Sequence, residues 1–375
     1  MKITVTGAGV VSALGPDLAA FREGLARGVH PCRPHAFTRF DGSVAELPAY
    51  LAVDAEPGGL IEPRKLRRMF RLARMSAVAA RQALQHAGLD PSSIDGTRLA
   101  VVFGTGLGAM EVTQKFIDSW LQNGERAASP LQFMNSLHGI LASQVALDVL
   151  ARGPNLTIAQ RDICFEAALD AACKLLETGR ADAVLLGGAD EMTDMLHEFG
   201  TRSQLFTTFP GHRGIDPADA ATTVVPGDGA AVVLLERADV ARKPLAMVRG
   251  TAIGRHRDGR STLAARLAEV FKPDLVTDNR DGSARTSRVC RVQAGQLPAF
   301  PAPVSHRGSF GTFPAAGALQ FVCNTLMLAH GEYYRELRAG TPGESRAAPR
   351  AILHNATSAT GSLAAYVLSR ADSVE

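Results

Sequence analysis

Apolar residues follow two rhythms along this chain, and their alternation sets the fold class. Short continuous apolar runs predict buried strands at residues 2–6, at the start of 99–108, and at 156–159, 181–190, 227–237 and 245–254. Between them apolar positions recur at helical spacing over 16–28, 63–88, 109–122, 129–153, 163–179 and 315–331. Gly88, Gly153 and Gly179 act as stops. Residues 351–369 predict two strands around a polar turn. Residues 31–60 read as irregular, 255–300 as polar with few periodic apolar positions, and 335–350 as loop. Strands alternating with helices indicate an α/β protein whose helices cover its sheet. The predicted helix within 129–153 is apolar around much of its circumference, so it is expected in a core or an interface.

Composition narrows the class. Hydrophobic residues make up 46% and charged residues 21%, a globular balance rather than a disordered one. Glycine is frequent, at 36 residues, and aromatics only 6%, which suits helices packed closely on a sheet. With 375 residues, and about 150 per domain, the length suggests two domains or two halves. Lys plus Arg number 40 against 37 Asp plus Glu, a net +3 that argues against a general nucleic-acid binder. The five cysteines are odd in number and form no CxxC pair, so neither a disulfide framework nor a cysteine zinc site is expected. No metal and no cofactor are expected. The start MKITVTGAGVV does not read as a signal peptide, and no run of 18 apolar residues predicts a membrane span, so the expected compartment is the cytoplasm. The turn GAGVVSALG fails the GxGxxG dinucleotide pattern, because Ser12 stands where the third glycine is required.

Taken together, VTGAGVVSALG (5–15), residues 67–90, VVFGTGLGAME (101–111), GPNLTIA (153–159), GRADAVLLGGADE (179–191), GDGAAVVLLE (227–236) and PAAGALQFV (314–322) resemble the β-ketoacyl-acyl-carrier-protein synthase family. The resemblance implies a thiolase-like fold of two βαβ-type halves in a five-layered α/β/α/β/α core, assembled as a tight dimer. It divides the chain into 1–240 and a shortened 241–375. Active members use a Cys nucleophile at a helix N-terminus, where oriented amides favour the thiolate, two His that stabilise thioester and enolate oxygens, and a Lys that orders the site.

At those positions this chain departs from the family. The register between Gly153-Pro154-Asn155 and Gly187-Gly188 places Asp162 at the nucleophile. A carboxylate is a weak nucleophile, and the expected role of Asp162 is an N-cap on the helix that follows. Cys164, two residues on and rotated by about 200° around a helix, is expected to be a packed thiol. The first His matches Asn279 or a near neighbour, the Lys matches His306 and the second His matches Gly311. The gating loop reads NATSATGS (355–362), without its Phe. Gln160, the residue type common at the nucleophile of inactive members, lies two positions early.

Loss of all these groups together resembles the family's chain-length factors, inactive copies that pair with an active ketosynthase and shape the acyl tunnel in polyketide, aryl-polyene or fatty-acid-like synthesis. Two alternatives stay open at this stage. One is an active condensing or acyl-transfer enzyme using Asp162 or Cys164; the other is an acyl-binding scaffold without an active partner. The partners implied are an active ketosynthase, as a heterodimer, and an acyl carrier protein with its phosphopantetheine-linked chain. Arg64, Lys65, Arg67, Arg68 and Arg71 form the densest basic stretch and are candidates to meet an acidic carrier or a partner. Phe133, Met134 and Leu137, beside Thr157, Ile158 and Ala159, are candidates for the tunnel end and the dimer contact.

Overall fold

The computed structural model describes residues 2–55, 59–206, 224–241, 243–256, 261–297, 299–338, 341–358 and 360–372. Strand β1 (Ile3–Val11) and helix α1 (Leu18–Arg27) are followed by a hairpin, β2 (Arg33–Thr38) and β3 (Val44–Ala49). A single turn, α2 (Pro63–Leu66), precedes α3 (Arg71–Ala87), β4 (Leu99–Gly104), α4 (Met110–Asn123), α5 (Pro130–Ser136), α6 (Ile140–Val149) and β5 (Asn155–Ile158). Then come α7 (Cys164–Glu177), β6 (Ala183–Asp190), α8 (Asp194–Arg202), β7 (Gly229–Arg237) and β8 (Ala246–Arg255). The remainder is α9 (Leu263–Phe271), β9 (Leu275–Asp278), α10 (Ala284–Ala294), α11 (Arg307–Phe310), α12 (Gly317–His330), a minimal hairpin of β10 (Leu337–Arg338) and β11 (Thr341–Pro342), β12 (Ala351–Thr357) and β13 (Ser362–Ser369).

Nine strands form one mixed sheet in the order β5-β4-β6-β7-β1-β8-β13-β12-β9. Neighbours are parallel at β5/β4, β4/β6 and β12/β9 and antiparallel elsewhere. Strand β1 pairs with β7 along its whole length but with β8 only over Ile3–Val5. Helix α7 packs on β4 and β6 and also on β8 and β13, while α12 packs on β6 and β7 and also on β12 and β13. The sheet therefore wraps around these two helices. With α3 and α6 outside one arm and α9 and α10 outside the other, five layers result. Every residue of α12 from Gly317 to Leu328 is buried; most are apolar or small, and the polar Gln320 and Asn324 are hydrogen-bonded to other buried side chains.

Several expectations need correction. Gly7 and Gly9 belong to β1, not to a turn. A Cβ on either would lie 2.1 Å from a backbone oxygen of α3, that of Ala83 or Ala79, so glycine here allows strand and helix to touch. The 63–88 helix is interrupted between α2 and α3, and the 129–153 helix breaks at Leu137, whose backbone is extended. Residues 31–60 hold the β2–β3 hairpin. Pro34 faces Pro48 across it, and prolines erase the usual strand signal. The polar stretch 255–300 contains α9, β9 and α10; outer-layer elements need only one apolar face. The 335–350 segment is not wholly loop, since it carries β10 and β11.

Candidate functional site

A cavity of about 640 Å³ opens beside the N-terminal end of α7, walled by Asp162, Asn279, Asp281, Arg307, Phe313 and Thr357 among others. Asp162 lies in a tight 3-10 turn, Arg161–Ile163, entered through Arg161 in the left-handed region (φ 48°). This turn corrects the capping expectation. It extends the helix start past Asp162, so the residue before α7 is Ile163, with no side-chain cap. The Asp162 carboxylate instead accepts the Ser358 hydroxyl at 3.1 Å.

Cys164 is fully buried, and burial, reinforced by the charges of Asp190, Glu166 and Asp162, pushes its thiol well above the usual range. Its backbone packs against Gly104, where a Cβ would approach to 2.6 Å. It stays protonated and outside the cavity wall, which removes it as the alternative nucleophile.

Asn279 directly follows β9 and clamps the end of β12. Its Nδ2 donates to the Thr357 carbonyl at 2.8 Å, and its Oδ1 accepts the Thr357 amide at 3.1 Å. An amide committed to two backbone bonds has no proton to exchange at neutral pH. His306 lies behind the cavity with no exposed surface. Gln320 donates to its Nδ1 at 3.0 Å, so its Nε2 donates to the Tyr334 carbonyl at 3.0 Å. Burial holds the imidazole neutral by lowering its pKa. Gly311 has φ 82°, and a Cβ there would lie 2.7 Å from the Tyr50 Cβ, so the backbone excludes a histidine at this position. Of the four matched positions, Asp162 and Asn279 reach the cavity, and His306 and Gly311 do not.

Arg307, the residue after His306, is a cavity residue that no sequence pattern marks. It is 4% exposed and reaches the cavity. Its guanidinium makes a single hydrogen bond among the described residues, Nη1 to the Phe313 carbonyl at 3.4 Å. Burial lowers its pKa, opposed by the nearby carboxylates of Asp281, Glu166 and Asp162. Asp190, buried at the end of β6, ties the rim together by accepting from Thr105 Oγ1 at 2.7 Å, Leu107 N at 2.8 Å and Ala315 N at 2.8 Å. Among the described residues, no Cys, His or Lys lines the cavity.

The basic stretch divides in two. Arg64, Lys65, Arg67 and Arg68 are exposed, with Lys65 Nζ 3.6 Å from Asp148. Arg71 is not available for a carrier, because its Nη1 lies 2.5 Å from the buried Asp228 carboxylate and its Nη2 donates to the Ala52 carbonyl at 3.1 Å. On another face, Phe133, Met134 and Leu137 are 51%, 55% and 51% exposed. In β5, an edge strand, Thr157 and Ile158 are half-buried, and Ala159 just after it is exposed. None of these six lines the cavity of this chain. No helix among the described residues is long and apolar enough to cross a membrane. Against the expectation of no metal, His35, Asp194 and His197 bring ligand atoms within 4.8 Å of one another.

Comparison with known proteins agrees with this geometry. Over 303 residues the chain is 26% identical to 3-oxoacyl-[acyl-carrier-protein] synthase 2 of Coxiella burnetii (strain RSA 493 / Nine Mile phase I), covering 78% of this chain and 72% of that protein. The fold matches a chain of the ishigamide ketosynthase/chain length factor with a TM-score of 0.81 at 22% identity, covering 98% of this chain and 99% of that one. It also matches a chain of the ketosynthase ApeO in complex with its chain length factor ApeC from Xenorhabdus doucetiae, with a TM-score of 0.82 at 17% identity, over 99% and 98% of the two chains. Both likenesses place the five layers in the thiolase-like ketosynthase fold. Residues 1–241 match the family model "Beta-ketoacyl synthase, N-terminal domain", and the chain belongs to the β-ketoacyl synthase family.

Proposed function

We propose that this chain is a non-catalytic subunit of the chain-length-factor type, which pairs with an active ketosynthase and walls the tunnel in which a carrier-bound acyl chain grows. One observation carries the reading: a cavity of about 640 Å³ opens at the start of α7, but no described residue lining it is a thiol, an imidazole or an amine. Claisen condensation on a thioester needs a nucleophile and groups that hold the developing oxyanion. Here Asp162 is engaged by Ser358, Asn279 bridges backbone, and Gly311 has no room for a side chain.

The partner reading rests on the uncovered apolar face. Phe133, Met134 and Leu137 lie exposed, as do Leu147 and Leu150, 70% and 66% exposed, and Leu156 of β5. An edge strand flanked by exposed apolar residues favours pairing with another chain. Solved structures of this fold include ketosynthases with their chain length factors. The exposed Arg64, Arg67 and Arg68 supply positive charge for an acidic carrier protein.

The test is co-expression with a ketosynthase whose Cys, His and His are intact, followed by reconstitution with carrier protein. A stable heterodimer that elongates, while this chain alone does not, supports the proposal. Leu137→Asp should break the complex, because it places a charge in an interface of roughly 2,000 Å² or more. A stable monomer that ignores such ketosynthases, or turnover by the isolated chain, overturns it.

A further inference from the structure

Helix α8 carries a second group of residues with coordinating chemistry. Asp194 and His197 are three positions apart, so they share one face of α8. The β2–β3 hairpin packs against this helix and sets His35 beside them, its ring centroid 4.8 Å from that of His197. Thr38 donates its amide to Asp194 Oδ2 at 3.0 Å, which fixes the carboxylate at the hairpin. His197 is 1% exposed, yet among the described residues neither of its ring nitrogens has a hydrogen-bond partner. The rings of Phe37 and Phe206, at 5.4 and 6.5 Å, offer it no acceptor. A buried imidazole with both nitrogens unpaired is costly and calls for a ligand.

We propose that His35, Asp194 and His197 bind a zinc ion that clips the β2–β3 hairpin to α8. Two imidazoles and one carboxylate form a recognised donor set for this metal, with water completing a tetrahedron. Zn–N bonds of about 2.0–2.1 Å require donor spacings of about 3.3 Å. The present spread of up to 4.8 Å must therefore contract, and the half-buried His35 on its two-stranded hairpin is the side chain with room to turn. The opposite side of α8 presents Leu196 and Phe199 to the cavity, so the clip steadies one cavity wall. The inference does not depend on whether the chain is catalytic.

The experiment uses full-length, tag-free chain, stripped with a chelator and titrated with Zn²⁺ by calorimetry and metal analysis. One equivalent per chain is expected, with a rise in melting temperature, and Co²⁺ in its place should give the visible bands of a tetrahedral site. His35→Gln and Asp194→Asn alter partly exposed positions and should leave the metal-free chain folded, but weaken zinc binding at least about a hundredfold, more than loss of an outer-shell partner costs. No stoichiometric zinc, or equal affinity in these variants and the parent, overturns the site.

Discussion

The Ser358 hydroxyl donates to Asp162 Oδ2 at 3.1 Å, joining the strand-end loop after β12 to the turn before α7 across 196 positions of sequence. The residue matched to the family's nucleophile thereby takes part in a structural bond. Asp162→Asn keeps an oxygen acceptor for Ser358, so the assembled pair should elongate within about twofold of the parent rate. A loss of about a hundredfold in turnover, with the fold intact, would assign acid–base work to the carboxylate. Asp162→Ala removes the bond and should lower stability by about 1 kcal/mol, measured by denaturant unfolding.

Tunnel length offers a second measurement. Phe133 stands exposed on α5, its ring 5.6 Å from that of Phe116. If this face closes the partner's tunnel, Phe133→Ala removes part of its end. Two carbons add roughly 2.5 Å of reach, comparable with the difference between a large and a small side chain. Mass analysis of carrier-bound products should show chains longer by one or two cycles. Unchanged lengths for Phe133, Met134 and Leu137 variants in an intact complex would remove length control from α5.

The basic stretch should behave as two classes. Asp228 accepts from Arg71, from Ala52 N at 2.6 Å and from Met192 N at 3.2 Å, all at the buried end of the sheet. Arg71→Ala strands a buried carboxylate and should cost about 3–5 kcal/mol. Arg68→Ala should change stability by no more than about 0.5 kcal/mol, but slow carrier association in a salt-dependent way. Calorimetry and stopped-flow binding separate the two.

Glu191 gives a pH signature. It is 1% exposed, its Oε1 accepts the Glu111 amide at 3.0 Å, and burial pushes its pKa up to about 7. The folded chain therefore holds this proton to about pH 7, while the unfolded chain releases it near pH ~4.3. Across that window the folded state binds more protons, so the Glu191 contribution to stability falls as pH rises, then levels off. Glu191→Gln retains an acceptor without the charge. It should flatten the decline and gain on the order of 3 kcal/mol relative to the parent above pH 7. Parallel denaturation curves for both proteins between pH 5 and pH 8 would refute this.

Much of the scaffold was legible because its buried strands are unbroken apolar runs: β6 and β7 fall where the runs at 181–190 and 227–237 predict them. Glycine was read less well. Whether Gly7 and Gly9 serve a turn or a close approach depends on Ala83 and Ala79, which sequence does not place beside them. The role of Asp162 was misread because a 3-10 turn moved the helix start. Arg307 and His197 were passed over because each gains its character from distant neighbours, Phe313 and the acidic groups for one, His35 and two aromatic rings for the other.

The place of β1 in the sheet has a consequence during synthesis. All nine of its residues are buried, and it lies between β7 and β8, with Thr4 opposite Glu236, 232 positions later. At about 5–20 residues per second, a ribosome takes roughly 10–50 s to make that partner. For that interval an apolar nine-residue segment has α3 to lean on but no strand to pair with. The nascent chain thus carries an unpaired sheet centre through most of its translation, a state open to wrong strand pairing until β7 and β8 emerge.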